Sequence, residues 1–155
     1  MESGQYSFNE DIKTGEAGEV IVQNYLKANG CTIVTDNKDF KYDFIATTPN
    51  GKEVSYEVKT DVYCKEGRDT GNMFIEYECR GKASGINVSQ ADWFVTYYKH
   101  LNQMWFIETK ELKNLVYYNN FKETEQSGDA GSNTKGYLIR RHGHKRFFLV
   151  KNFVD

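Results

Sequence analysis

Residues Glu53 to Val62 constrain the fold more than any other stretch of the chain. Val54, Tyr56, Val58 and Thr60 alternate there with Ser55, Glu57, Lys59 and Asp61. Successive side chains of a strand point to opposite faces, so one face is the better core face and the other carries charge. Pro49-Asn50-Gly51, just upstream, is a tight-turn signal. Tyr42-Asp43-Phe44-Ile45-Ala46, across that turn, reads as the partner strand. Counting back from the turn brings Asp43 level with Glu57. Two carboxylates and an ammonium group then converge at the end of a hairpin.

The remaining elements arrange themselves around this hairpin. Residues 1 to 12 are polar and read as a loose arm. A helix is expected over Thr14 to Asn29, with Thr14 as N-cap and Gly30 as the C′ stop. Thr32 to Thr35 is a short strand, Lys65 to Asn72 a mobile loop, and Met73 to Cys79 a further strand. Gly81 to Gln90 is a loop or short turn. Trp93 to Tyr98 and Met104 to Ile107 read as a hairpin, and Lys110 to Tyr117 as a short helix. Phe121 to Lys135 carries Gly, Ser, Asp and Asn and reads as a long surface loop. Gly136 to Arg141 and Arg146 to Val150 are terminal strands flanking a basic tip. This order gives a mixed α/β (α+β) fold with a central mixed sheet. At 155 residues it forms a single domain, 1–155, with its core over about 14–110 and C-terminal strands at 136–150.

Composition excludes several classes. Lys and Arg number 20 against 22 Asp and Glu, a net charge of −2, which argues against binding nucleic acid by bulk charge. No apolar run approaches the roughly 18 residues of a membrane span, and the first residues lack a secretory h-region. Cys31, Cys64 and Cys79 are odd in number and form no C-x-x-C pair, so they read as free thiols in a reduced, cytoplasmic protein.

A Glu-x-Lys pair on one strand is by itself ordinary solvated surface. The convergence with Asp43 gives it a second meaning. Two carboxylates about 4 Å apart repel by about 4 kcal/mol at an effective dielectric near 20. A divalent cation turns that repulsion into coordination. Hard oxygen donors without Cys or His favour Mg²⁺, with Mn²⁺ as a substitute, over Zn²⁺. Such an ion lowers the pKa of a water and offsets charge on a phosphate, and a nearby lysine can help in both.

Asp43 followed by Glu57-Val58-Lys59-Thr60 resembles the PD-(D/E)xK nuclease signature, with Tyr42 in place of the usual proline. The resemblance is tight over 41–61 and loose over 14 to about 110, and it implies a restriction-endonuclease-like αβββαβ core. It implies Asp43, Glu57 and the Val58 carbonyl as metal ligands and Lys59 as base or electrostatic helper. Gly15, Glu19, Leu26 and Gly30 also resemble the first helix of archaeal-type Holliday junction resolvases, where an acidic residue completes the site. At 100° per residue, Ala17, Ile21, Val22, Tyr25 and Ala28 cluster, Glu16, Gln23 and Lys27 lie opposite, and Glu19 falls at the rim beside Leu26. Glu19 rather than Glu16 is therefore expected to reach the metal. The stretches around Phe74–Glu78, Ser84–Ile86 and Ala91–Val95 look like small phage-type nucleases of the superfamily.

These features imply a metal-dependent DNA endonuclease, structure-selective for branched DNA and homodimeric because a junction needs two cuts. A sequence-specific or nicking endonuclease of restriction or phage origin is the alternative, and an inactive nucleic-acid-binding module of the same fold is the non-enzyme one. The run Arg140 to Arg146 is the densest basic segment, and Arg140, Arg141 and Lys145 are the expected phosphate contacts. Lys65, Arg68, Arg80 and Lys82 are further candidates, with Glu76 and Glu78 as flanking carboxylates. His142 and His144 form an H-x-H pair with no third ligand nearby, and Trp93, Phe94, Tyr97, Tyr98, Trp105 and Phe106 read as core.

Overall fold

A computed structural model describes residues 3–35, 41–127 and 133–153. Helix α1 spans Ser3–Ala28, followed by strands β1 (Thr32–Thr35), β2 (Phe44–Thr47) and β3 (Glu53–Asp61). Strand β4 (Asn72–Cys79), the two-residue β5 (Lys82–Ala83) and a 3-10 turn (Gly85–Asn87) lead to β6 (Trp93–Tyr98) and β7 (Gln103–Glu108). Helix α2 (Thr109–Tyr118), β8 (Lys122–Ser127), β9 (Asn133–Arg140), the short α3 (Arg141–His144), a second 3-10 turn and β10 (Leu149–Asn152) complete the chain. The fold is mixed α/β in a single domain with two sheets. Six strands run in the order β1-β2-β3-β6-β7-β10, and four in the order β5-β4-β9-β8. Every pairing is antiparallel except β3 with β6.

The hairpin is where the turn signal places it. Gly51 takes a φ of +86°, its N–H bonds the Thr48 carbonyl at 2.9 Å, and Phe44 pairs with Tyr56. Those two rings stack at 5.2 Å. Gly30 closes α1 at a φ of +93°, with Cys31 N–H bonding Leu26 O and Gly30 N–H bonding Lys27 O, the two bonds of a Schellman ending.

Three expectations are corrected. The first helix begins at Ser3, so the segment to residue 12 is not an arm as far as it is described; residues 1–2 lie outside the described residues. The segment has no proline, and its polar composition does not distinguish helix from coil. The loop expected over Phe121 to Lys135 contains β8 and the start of β9, with residues 128–132 outside the described residues. Strand β8 (KETEQS) is an edge strand without a buried apolar face, so no period-2 signal marks it. Arg140 to Arg146 is not a hairpin tip. It crosses from β9 in one sheet to β10 in the other through α3 and a 3-10 turn. Between β3 and β6 the chain crosses over through β4, β5 and a 3-10 turn.

Strand alternation builds two cores. Val54, Tyr56 and Val58 face α1 with Val22, Leu26, Phe44, Val95 and Phe106. The opposite face of β6 and β7 contributes Phe94, Tyr98, Trp105 and Ile107 to a second core with Met73, Ile75, Leu112 and Ile139. The inward stripe of α1 is Gly18, Val22 and Leu26, whereas Ala17 and Ala28 are exposed. The face is thus rotated from the expected one. Gly18 is there because the helix lies against β3: a Cβ at Gly18 would sit 1.9 Å from Thr60 Oγ1.

This contact reverses the usual rule for helix glycines. Nothing lies within 4 Å of a Cβ added at Gly15. Gly15→Ala should raise the melting temperature by about 2–4 °C, because alanine is favoured over glycine in a helix by about 1 kcal/mol. Gly18→Ala should lower it, and adding Thr60→Ala should restore part of the loss. Calorimetry on the three variants checks this; a Gly18→Ala protein melting above wild type would place the helix away from Thr60.

Candidate metal centre

Asp43 stands at the start of the hairpin, one residue before β2, and its N–H bonds the Tyr56 carbonyl at 2.8 Å. Its carboxylate Oδ2 accepts the Val58 N–H at 2.7 Å. Asp43 is therefore locked onto the strand that carries Glu57 and Lys59. Lys59 Nζ lies 3.8 Å from Glu57 Oε1, with the Glu57 side chain only 15% exposed. The loop before β6 is tied to the chain just ahead of Asp43: Gln90 N–H bonds the Lys41 carbonyl at 2.8 Å. Ser55 and Asp92 clasp β3 to the head of β6. Ser55 N–H and Oγ–H reach Asp92 Oδ2 at 2.9 and 3.1 Å, and Asp92 N–H returns to Ser55 Oγ at 2.9 Å.

Burial pushes Glu57 up to about 7, and the Asp43 carboxylate adds to the shift. Lys59 opposes it, a hydrogen bond between the two carboxyl groups raises it further, and Glu19 contributes from α1. Burial and the neighbouring carboxylates together thus outweigh Lys59 and favour the protonated form of Glu57. Glu19 is half-buried and Glu16 exposed, because Glu19 neighbours the inward Gly18 and Val22. The structure therefore brings Asp43, Glu57, Lys59 and Glu19 into one electrostatic neighbourhood.

A divalent cation would find two carboxylates here. Asp43 keeps Oδ1 clear of the Val58 bond, and in an extended strand the Val58 carbonyl leaves on the same edge as its N–H, towards Asp43. Among the described residues no group of three or more His, Cys, Asp or Glu side chains is arranged to hold a metal. Two carboxylates and a carbonyl suit Mg²⁺, which retains several waters, and not an ion that needs a full protein cage.

The basic run is divided. Arg140 and Lys145 are exposed, but Arg141 is buried, ion-paired with Asp69, and set 4.6 Å from the Tyr98 ring centroid. His144 Nδ1 lies 2.7 Å from the Arg140 carbonyl, so that ring is turned to its own helix. Glu78 pairs with Lys135 at 3.2 Å, whereas Glu76 lines a cleft of about 870 Å³ that Lys59 also borders. Sequence reasoning left Asp61, Ser89 and Asp92 without roles. Asp61 Oδ1 accepts N–H bonds from Tyr63 and Cys64, a short-range Asx turn legible in principle. The Ser55–Asp92 clasp spans 37 positions and has no local signal.

No family model matches the chain, and neither a curated protein nor a solved structure matches it. Among the described residues no helix is long and apolar enough to cross a membrane.

The raised Glu57 sets a pH dependence. A carboxyl whose pKa lies higher folded than unfolded makes stability fall as pH rises between the two values. For Glu57 that window runs from 4.5 to about 7. Glu57→Gln in EDTA should remove this part of the slope and melt above wild type at about pH 8. Urea midpoints against pH measure it; a Glu57→Gln protein less stable than wild type at high pH would mean the carboxyl carries no such penalty.

Proposed function

We propose that the chain is a Mg²⁺-dependent DNA endonuclease with a restriction-endonuclease-like core, hydrolysing phosphodiesters to 3′-OH and 5′-phosphate ends. The observation that carries this reading is the meeting of Asp43 with Glu57 across the hairpin, with Lys59 two residues on along the same strand face. The antiparallel β1-β2-β3 unit, the α1 helix packed on it and the parallel β3–β6 pair support the core assignment. The strand-built crossover is a departure from it.

Asp43, Glu57 and the Val58 carbonyl would hold the ion, and Glu19 would add charge from α1. Bound there, a divalent cation acidifies a water and offsets charge on the phosphate. Asp43 is pre-positioned beside Glu57 by its main-chain bonds to Tyr56 and Val58, which would lower the reorganisation needed to hold the ion. The half-exposed Lys59 ammonium presents charge to a phosphoryl oxygen and a donor to the attacking water. Arg140 and Lys145 remain as phosphate contacts; Arg141 does not, because it is buried against Asp69. A branched substrate would require paired cuts and hence a homodimer.

The test is single-turnover cleavage of supercoiled, linear, single-stranded and four-way-junction DNA. Asp43→Asn and Glu57→Gln should abolish Mg²⁺-dependent cleavage and leave the fold intact. Lys59→Ala should slow bound-substrate cleavage by orders of magnitude with little change in affinity. Glu19→Ala should lose far more activity than Glu16→Ala. Full activity in EDTA, or in Asp43→Asn, would overturn the reading.

A further inference from the structure

Lys59 opens onto the largest cleft described, about 870 Å³ between β3, the loop after it and the second sheet. That volume lies within the roughly 300–1,000 Å³ of small-molecule sites and takes a nucleotide but not a duplex. Its lining is divided by chemistry. Phe74 and Leu138 supply an apolar wall, and Tyr63, half exposed, stands at one side with the Arg68 guanidinium 4.5 Å from its ring centroid. Asp61, Glu76 and Glu125 add carboxylates, the first of them bonded to the Tyr63 and Cys64 N–H groups, and among the described residues Lys59 is the cationic side chain in the lining.

This distribution selects a ligand. Carboxylates repel a phosphate and accept hydrogen bonds from exocyclic amino groups, as Glu and Asp do with the cytosine N4 amine. Aromatic side chains stack on any base. Lys59 attracts a phosphate at the end of the cleft nearest Glu57. A ligand satisfying all three is apolar and flat, rich in donors at one edge and anionic at the other end. We propose that the cleft receives an unpaired nucleobase carrying an exocyclic amino group, adjacent to the phosphodiester held at Lys59. This rests on the nuclease reading and narrows it to DNA with a base out of the stack at the cleavage position. An unpaired or mismatched base meets this demand at the smallest unstacking cost.

The experiment uses the full chain and oligonucleotides with 2-aminopurine at one position, in duplex, gapped and single-stranded form, in Ca²⁺ for binding and Mg²⁺ for cleavage. Unpaired 2-aminopurine should change fluorescence on binding, and gapped or single-stranded DNA should bind at least about tenfold tighter than blunt duplex. Phe74→Ala should weaken the unpaired substrate by about tenfold and leave duplex binding unchanged. The Phe74 ring also covers Gly136, so that variant can lose stability. Glu76→Gln, a conservative change at the cleft wall, gives the second reading: it should reduce the preference for cytosine or adenine over thymine at the unpaired position. Equal affinity for duplex and unpaired DNA with no fluorescence change, or an unaltered base preference in Glu76→Gln, would overturn the proposal. Mg²⁺-dependent cleavage of duplex alone would leave the nuclease reading standing and remove this one. Selective binding of unpaired bases without any cleavage would do the reverse.

Discussion

Strand β3 is covered on one face by α1 and bordered on the other by the second sheet, and most of the architecture follows from that. The α1 side is satisfied by Val54, Tyr56 and Val58 against Val22 and Leu26. The other side holds Glu57, which has only a small exposed surface, and Lys59 at the lip of the cleft. A strand edge-on to two layers cannot hydrate a carboxylate there freely. Burial thus raises the protonated form of Glu57 before any neighbour is counted, and Asp43 increases the effect. Asp43 is held by a main-chain N–H and cannot swing away from Glu57.

The helix contributes through close approach. At Gly18 the absence of a side chain brings the α1 backbone down to Thr60, and this depth puts Glu19, the next residue, beside the strand and not out in water. A larger residue at position 18 would lift the helix and carry the Glu19 charge away from Glu57. The packing of an apolar face and the electrostatics of a polar site are therefore set by one interatomic contact.

Local chemistry was readable, and long-range pairing was not. The turn at Pro49-Asn50-Gly51, the alternation of β3, the Gly30 stop and the β6–β7 hairpin each have a signal within a few residues, and together they bring Asp43 to Glu57. In the second sheet β4 and most of β9 are legible as strands, but β8 is polar on both faces and is placed only by its pairing with β9. Arg141 reads as surface in any window of sequence. Its partner Asp69 lies 72 positions away, and only the fold joins them. The rotated face of α1 has the same origin: a glycine contributes nothing to a hydrophobic wheel, yet Gly18 belongs to the buried stripe.

The crossover from β3 to β6 also governs the order in which the chain can assemble. Strand β4 belongs to the second sheet and pairs with β9, whose residues follow it by about sixty positions; its other strand neighbour is the two-residue β5. Contacts so distant in sequence carry a loop-closure cost and slow the search for the native state. During synthesis the α1–β3 unit and the β6–β7 hairpin are complete while β4 still lacks its main partner. Completion of the cleft wall that β4 supplies therefore waits on β9, about sixty positions downstream.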